Sequence, residues 1–261
     1  MTNQPRTGAF RTSDGLTLAH YTWGGPSSQP PVLLLHGFSA TARLNWEVPG
    51  VVAVLLARGR QVLALDARGH GESDKPHEPE RYGEPRMARD VRDFLDVLGA
   101  DRVHLAGYSM GAVVGLLTAA DDARVSRLVI GGVGAGVVEV GGLDTRAMPS
   151  ELVRAALVAP DPAAAPERTA AFRMLADAVG ADRLALAAQV SRAFAGPMPL
   201  ERVRVPSLVL AGADDPLAVR PAVLADAIAG AKLMVLPGDH LTVVRDPGFA
   251  SAIADFLGAE A

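Results

Sequence analysis

The chain has no cysteine in its 261 residues. Disulfides, thiolate metal sites and a cysteine nucleophile are therefore excluded. It also lacks an uninterrupted apolar run near the roughly 18 residues that would suggest a membrane span, because charged residues break every longer stretch. The opening residues, Met1 to Gly8, have no apolar core of the signal-peptide kind. Positive charge is not in excess either: 25 Lys and Arg face 29 Asp and Glu, for a net charge of −4, which leaves no basic footprint for nucleic acid. Internal repeats and low-complexity segments are missing, apart from an alanine bias. These absences predict a soluble, cytoplasmic protein with neither nucleic acid nor membrane as partner. They say nothing of its oligomeric state.

What is present is ordinary globular composition, 49% hydrophobic and 21% charged, in a length that suits one large domain or a domain with an insertion. The most informative stretch runs from Arg102 to Leu117. It reads as an apolar strand, then Gly107-Tyr108-Ser109-Met110-Gly111, then an apolar helix. With 27 glycines in the chain, a bare G-x-S-x-G would be weak evidence, but its setting between strand and helix is what the motif requires. A serine on so sharp a turn is lifted above the sheet beside a helix N-terminus, where free N–H groups concentrate.

Around that stretch the chain alternates. Residues 8–24 read as a β-hairpin with Asp14-Gly15 at its turn. Val32–Leu35, Gln61–Asp66 and Leu128–Ile130 are apolar runs suited to strands buried on both faces, and Ser207–Leu210 and Lys232–Leu236 read as further strands of the sheet. Helices are expected at Trp46–Arg58 (with an early break at Pro49), Arg86–Leu98, Arg220–Ile228 and Pro247–Leu257. This rhythm predicts an α/β protein: a mostly parallel central sheet with helices on both faces. In such sheets sites form at the carboxyl ends of strands. From about 137 to 199 the rhythm stops, Pro149, Pro160, Pro162 and Pro166 punctuate short helical pieces, and helices are expected at Glu167–Val179 and Asp182–Phe194. The expected organisation is a core of residues 1–136 and 200–261, with residues 137–199 as a helical cap lying over the sheet's carboxyl edge.

His36-Gly37-Phe38, the run Asp66-Ala67-Arg68-Gly69-His70-Gly71-Glu72-Ser73, the Ser109 pentad, Gly212-Ala213-Asp214-Asp215 and Gly238-Asp239-His240 follow one another in order. With these markers the chain resembles the α/β-hydrolase fold superfamily, in its small helical-cap esterase and serine-haloperoxidase-like branch. The resemblance implies Ser109 as nucleophile and His240, just past the last strand, as its base. A serine hydroxyl needs such a base to attack a carbonyl. The resemblance also implies Asp215, three residues after Gly212, as the acid that orients the imidazole. Asp214 is its neighbour, and relatives that carry the acid after an earlier strand would nominate Glu139 or Asp144 instead. The oxyanion donors implied are the backbone N–H groups of Phe38 and Met110. His36, His70, Asp66 and Arg68 are assigned to loop structure. Phe172, Met174, Phe194 and Met198 are assigned to packing rather than to a pocket.

No metal or organic cofactor is called for. The activity implied is a serine hydrolase that cleaves an ester-like bond of a small molecule through an acyl-enzyme. Lactonase, thioesterase, carbon–carbon bond hydrolase and perhydrolase are alternatives on the same residues. A non-catalytic ligand receptor of this fold, or a lyase using the same groups as a base, is the alternative from another class. Serine at 109 argues against dehalogenases and epoxide hydrolases of this fold, which carry aspartate there.

Overall fold

The computed structural model describes residues 4–165 and 169–258. Among the described residues there are eight strands: β1 (Arg6–Arg11), β2 (Thr17–Trp23), β3 (Val32–Leu35), β4 (Val62–Leu65), β5 (Val103–Tyr108), β6 (Val125–Gly131), β7 (Ser207–Gly212) and β8 (Lys232–Leu236). They form one sheet in the order β1-β2-β4-β3-β5-β6-β7-β8. The β1–β2 hairpin joins β4 antiparallel, and every pairing beyond that is parallel.

The continuous apolar runs are explained by the layers on either side. In β3, Leu33 and Leu35 enter one core with Phe94, Leu105, Val113 and Ile130. Val32 and Leu34 enter another with Trp46, Leu55, Phe249 and Ile253. The helices α1 (Val51–Ala57) and α9 (Pro247–Gly258) cover the second core, while α2 (Glu84–Leu98) and α3 (Met110–Asp121) cover the first. With both faces covered, a central strand has no solvent side on which a polar residue could alternate.

Between β6 and β7 come α4 (Gly136–Glu139), α5 (Ser150–Val158), α6 (Ala170–Ala178) and α7 (Arg183–Val190), and no strand interrupts them among the described residues. The expected start of α6 at Glu167, like Pro166 before it, lies outside the described residues. The helix expected at Asp182–Phe194 is shorter: Asp182 caps it by accepting the N–H groups of Leu184 and Ala185, and its far end stops at Val190. Phe194 is instead drawn toward α2, where its N–H donates to Glu84 Oε2 at 2.7 Å.

The helix expected at Trp46–Arg58 divides in two. Residues Arg43–Glu47 make one wide helical turn, and α1 begins only at Val51 after Gly50 adopts φ 89. Pro49 has no N–H to continue the first turn. The remaining helix, α8 (Pro221–Asp226), precedes β8.

Adjacent strands β3 and β5 lead the chain away in opposite directions across the sheet, β3 onward to β4 and β5 onward to β6. That reversal opens a crevice at their carboxyl ends, where open α/β sheets place ligands. Phe38 follows β3 and Ser109 follows β5, one on each side of it.

Candidate active site

Ser109 occupies the single residue between β5 and α3, with φ 55 and ψ −117. A non-glycine residue held there stores strain of order 1–3 kcal/mol. The close approach on both sides explains its glycine neighbours: a Cβ on Gly107 would lie 2.1 Å from Gly111 O, and one on Gly111 would lie 2.2 Å from Leu35 O. The serine is 4% exposed, and among the described residues its hydroxyl makes no hydrogen bond.

His240 and Asp215 are brought together from the loops after β8 and β7. His240 Nδ1 donates to Asp215 Oδ2 at 2.8 Å, and the Asp215 side chain is fully buried. The second carboxylate oxygen, Oδ1, accepts the N–H of Leu217, so the carboxylate cannot swing away from the ring. Asp214 is exposed. Glu139 is held by Arg146 and Arg220, and Asp144 by Arg146. Of the four acids considered, only Asp215 bonds a histidine.

The histidine loop has a further brace that sequence reading did not single out. Tyr108, the residue before the serine, donates its hydroxyl to His240 O at 2.6 Å, and its ring lies 5.1 Å from the imidazole. Burial pushes this phenol well above its ordinary pKa, so it remains a donor. An aromatic in the Gly107-x-Ser109 position was the available signal.

The two candidate oxyanion donors are free. Neither the Phe38 nor the Met110 N–H has a hydrogen-bond partner among the described residues. The loop that carries Phe38 is fixed by buried side chains: Gly37 N–H donates to Asn45 Oδ1 at 2.9 Å, and Ser39 N–H donates to His70 Nε2 at 3.2 Å. Ala67 N–H donates to His36 Nε2. In both histidines Nδ1 then carries the proton, given to Gly37 O by His36 and to Arg68 O by His70. Burial lowers the pKa of both, that of His70 to about 3, and keeps the rings neutral. Below them Asp66 accepts from Tyr21 O–H, Ala42 N–H and Glu72 N–H. Arg68, fully buried, is held by Asp90 and Asp14. These four residues have the structural place expected of them.

Ser109 and His240 open onto one cavity of about 500 Å³, a size suited to a small-molecule ligand. Phe38, Met148, Phe172, Leu175 and Leu217 make much of its wall. Phe172 therefore belongs to the pocket and not only to packing, with its ring 6.3 Å from that of Phe38. Met174, two residues further along α6, is 67% exposed. Among the described residues no cluster of His, Cys, Asp and Glu could hold a metal ion, and no helix is long and apolar enough to cross a membrane.

The chain belongs to the alpha/beta hydrolase fold family, whose model matches residues 30–160. A hydrolase from Pseudomonas aeruginosa is 30% identical, with 97% of this chain and 99% of that chain covered and a TM-score of 0.73. The enol-lactonase from Burkholderia xenovorans is 27% identical over 97% of this chain and 100% of its own, also with a TM-score of 0.73. A non-heme chloroperoxidase of Streptomyces lividans is 34% identical over 128 residues, 47% of this chain and 43% of that protein. The chain spans less than half the length of the curated relatives it matches. Hydrolases and other enzymes make up the named relatives.

Proposed function

We propose that the protein is a serine hydrolase that cleaves an ester-like bond of a small molecule through an acyl-enzyme. One observation carries the reading most: the buried Asp215–His240 hydrogen bond shares a cavity with a strained, partner-free Ser109. Ser109 Oγ attacks the carbonyl carbon while His240 Nε2 takes its proton. The developing oxyanion is received by the Phe38 and Met110 N–H groups, and Asp215 stabilises the imidazolium. The alcohol leaves with the proton from His240. Water, deprotonated by the same ring, then attacks the acyl-serine and returns the acid and the free hydroxyl. No hydrogen bond joins the Ser109 and His240 side chains among the described residues, which suits a resting site, where catalytic hydrogen bonds tighten only once substrate is bound. The helices of residues 137–199 act as the cap that shapes the substrate pocket.

The test is fluorophosphonate labelling, read by intact mass and peptide mapping. A single adduct on Ser109 is expected in the wild type, none in Ser109→Ala, and labelling slowed at least about a hundredfold in His240→Ala. A folded wild-type protein that takes up no label would overturn the reading and favour the ligand-receptor alternative.

A further inference from the structure

The polar groups facing the cavity are one-sided in their chemistry. Its polar side chains are Asn45, Tyr108, Ser109, His240 and Arg245, and no carboxylate lines it among the described residues. Tyr108 is spent on His240 O. Asn45, 7% exposed, has its orientation fixed because Oδ1 must accept the Gly37 N–H. Its Nδ2 is then left as a donor with no partner among the described residues, yet it is not sealed from the cavity.

Arg245 is exposed at the cavity's rim. Its guanidinium has no ion pair or hydrogen bond among the described residues. Asp246 Oδ1 caps the following helix through Gly248 N–H. Asp239 Oδ1 takes the N–H groups of Leu241 and Thr242. Glu47, on the same turn as Asn45, is held by Arg43.

Asn45 and Arg245 sit on neighbouring segments: Trp46, next to Asn45, stacks on Phe249 of α9 at 6.4 Å, just beyond the Arg245 turn. The cavity thus has an apolar wall with Met148, Phe172 and Leu175, and a second wall where two unsatisfied donors stand among Leu44, Val48 and Val244.

The geometry points to a second-site anchor: Asn45 Nδ2 and the Arg245 guanidinium bind a carboxylate at the non-reacting end of the substrate. This deepens the hydrolase reading, and the substrate class becomes a carboxylate-bearing ester or lactone. A guanidinium without a counter-ion and an amide donor that line one cavity make a donor set that a carboxylate fits. A neutral alkyl chain would leave both donors with water only.

The test is made on binding in the Ser109→Ala variant, so it does not depend on turnover. Dissociation constants are measured by calorimetry at neutral pH and low salt. The ligands are the monoethyl esters of succinate, glutarate and adipate, each against the neutral ethyl ester of equal chain length. At least one half-ester is expected to bind about tenfold more tightly than its neutral partner. Adding Arg245→Gln should bring that ratio near one. Asn45→Asp, which still offers an oxygen to Gly37 N–H but replaces the donor with a charge, should turn it below one. Equal binding at every length, or a preference that survives Arg245→Gln, overturns the anchor. A failed labelling experiment with this preference intact would remove the hydrolase reading and leave the anchor standing.

Discussion

Two buried charges brace two regions of the molecule in opposite ways. Asp66, with no exposed surface, gathers donors from Tyr21, Ala42 and Glu72. Arg173, 3% exposed, gathers acceptors: the carbonyls of Ala156 and Ala159 at the end of α5, and the Asp177 carboxylate. Arg183 adds bonds to Leu157 O and Ala159 O. A guanidinium there satisfies carbonyls that the helix end leaves open and favours the negative end of its dipole. The difference lies in reach. Asp66 joins segments from three separate parts of the chain directly beneath the site. Arg173 ties α6 to the helix just before it.

The floor of the site is therefore cross-braced, while the helices above it are a local unit. That unit meets the rest through apolar packing, Phe172 on Phe38 among it, and through a few polar ties, including Glu84 to Phe194 and His77 to Asp182. A region held mainly to itself can open with less free energy than global unfolding requires.

The largest effect that would break this comparison is expected at Asp66. Asp66→Ala leaves three donors without their acceptor, at about 1–3 kcal/mol for each buried group that water cannot reach. A loss on the order of 4 kcal/mol should follow, lowering Tm by about 10 °C in thermal unfolding. The whole protein should unfold at the lower temperature in one transition. A shift under about 2 °C would mean that the loops hold without Asp66 and that the floor is not braced as described.

Arg173→Leu should cost less, about 1–3 kcal/mol, because the carbonyls it leaves can turn to water at a helix end. Its signature is where the loss falls. Amide exchange should speed up in residues 150–190 and stay unchanged in β3, β5 and β6. Exchange that rises evenly through the sheet would show the helices and the core to be one cooperative unit.

The same contrast governs what could be read from the sequence. The sheet was legible because buried parallel strands leave continuous apolar runs, and Val32–Leu35 matches β3 residue for residue; Lys232–Leu236 matches β8 as well, though as an exposed edge strand. Ser109, Asp215 and His240 were named through the resemblance, whose motifs place these residues at fixed offsets after strand ends, and the structure brings Asp215 onto His240. Asn45 was not, since its role depends on a wide turn at Arg43–Glu47 that no local pattern announces. Phe172 was named but left to packing, because helical periodicity cannot tell a cavity from a core. The end of α7 was misplaced because a distant acid, Glu84, decides where Phe194 goes. Contacts between segments remote in sequence leave little trace in either segment alone.

The smallest expected effect concerns acid and the floor's two neutral histidines. In the unfolded chain a histidine titrates near 6.5, whereas burial holds His70 down to about 3 and lowers His36 as well. Between those values the unfolded state binds protons that the folded state refuses. Their contribution is complete above about pH 6.5 and is lost as pH falls toward about 3. Each such group adds up to about 1.4 kcal/mol of stability per pH unit across that window. Acid should therefore loosen the floor, where those two rings lie. Urea unfolding at several pH values between 7 and 5 measures the slope in wild type and in His70→Gln, whose amide can still accept the Ser39 N–H. The variant's slope should be shallower by up to about 1.4 kcal/mol per pH unit. If the two slopes coincide, His70 takes up its proton as readily in the folded protein as in the unfolded chain, and the neutral-histidine brace beneath Phe38 is wrong.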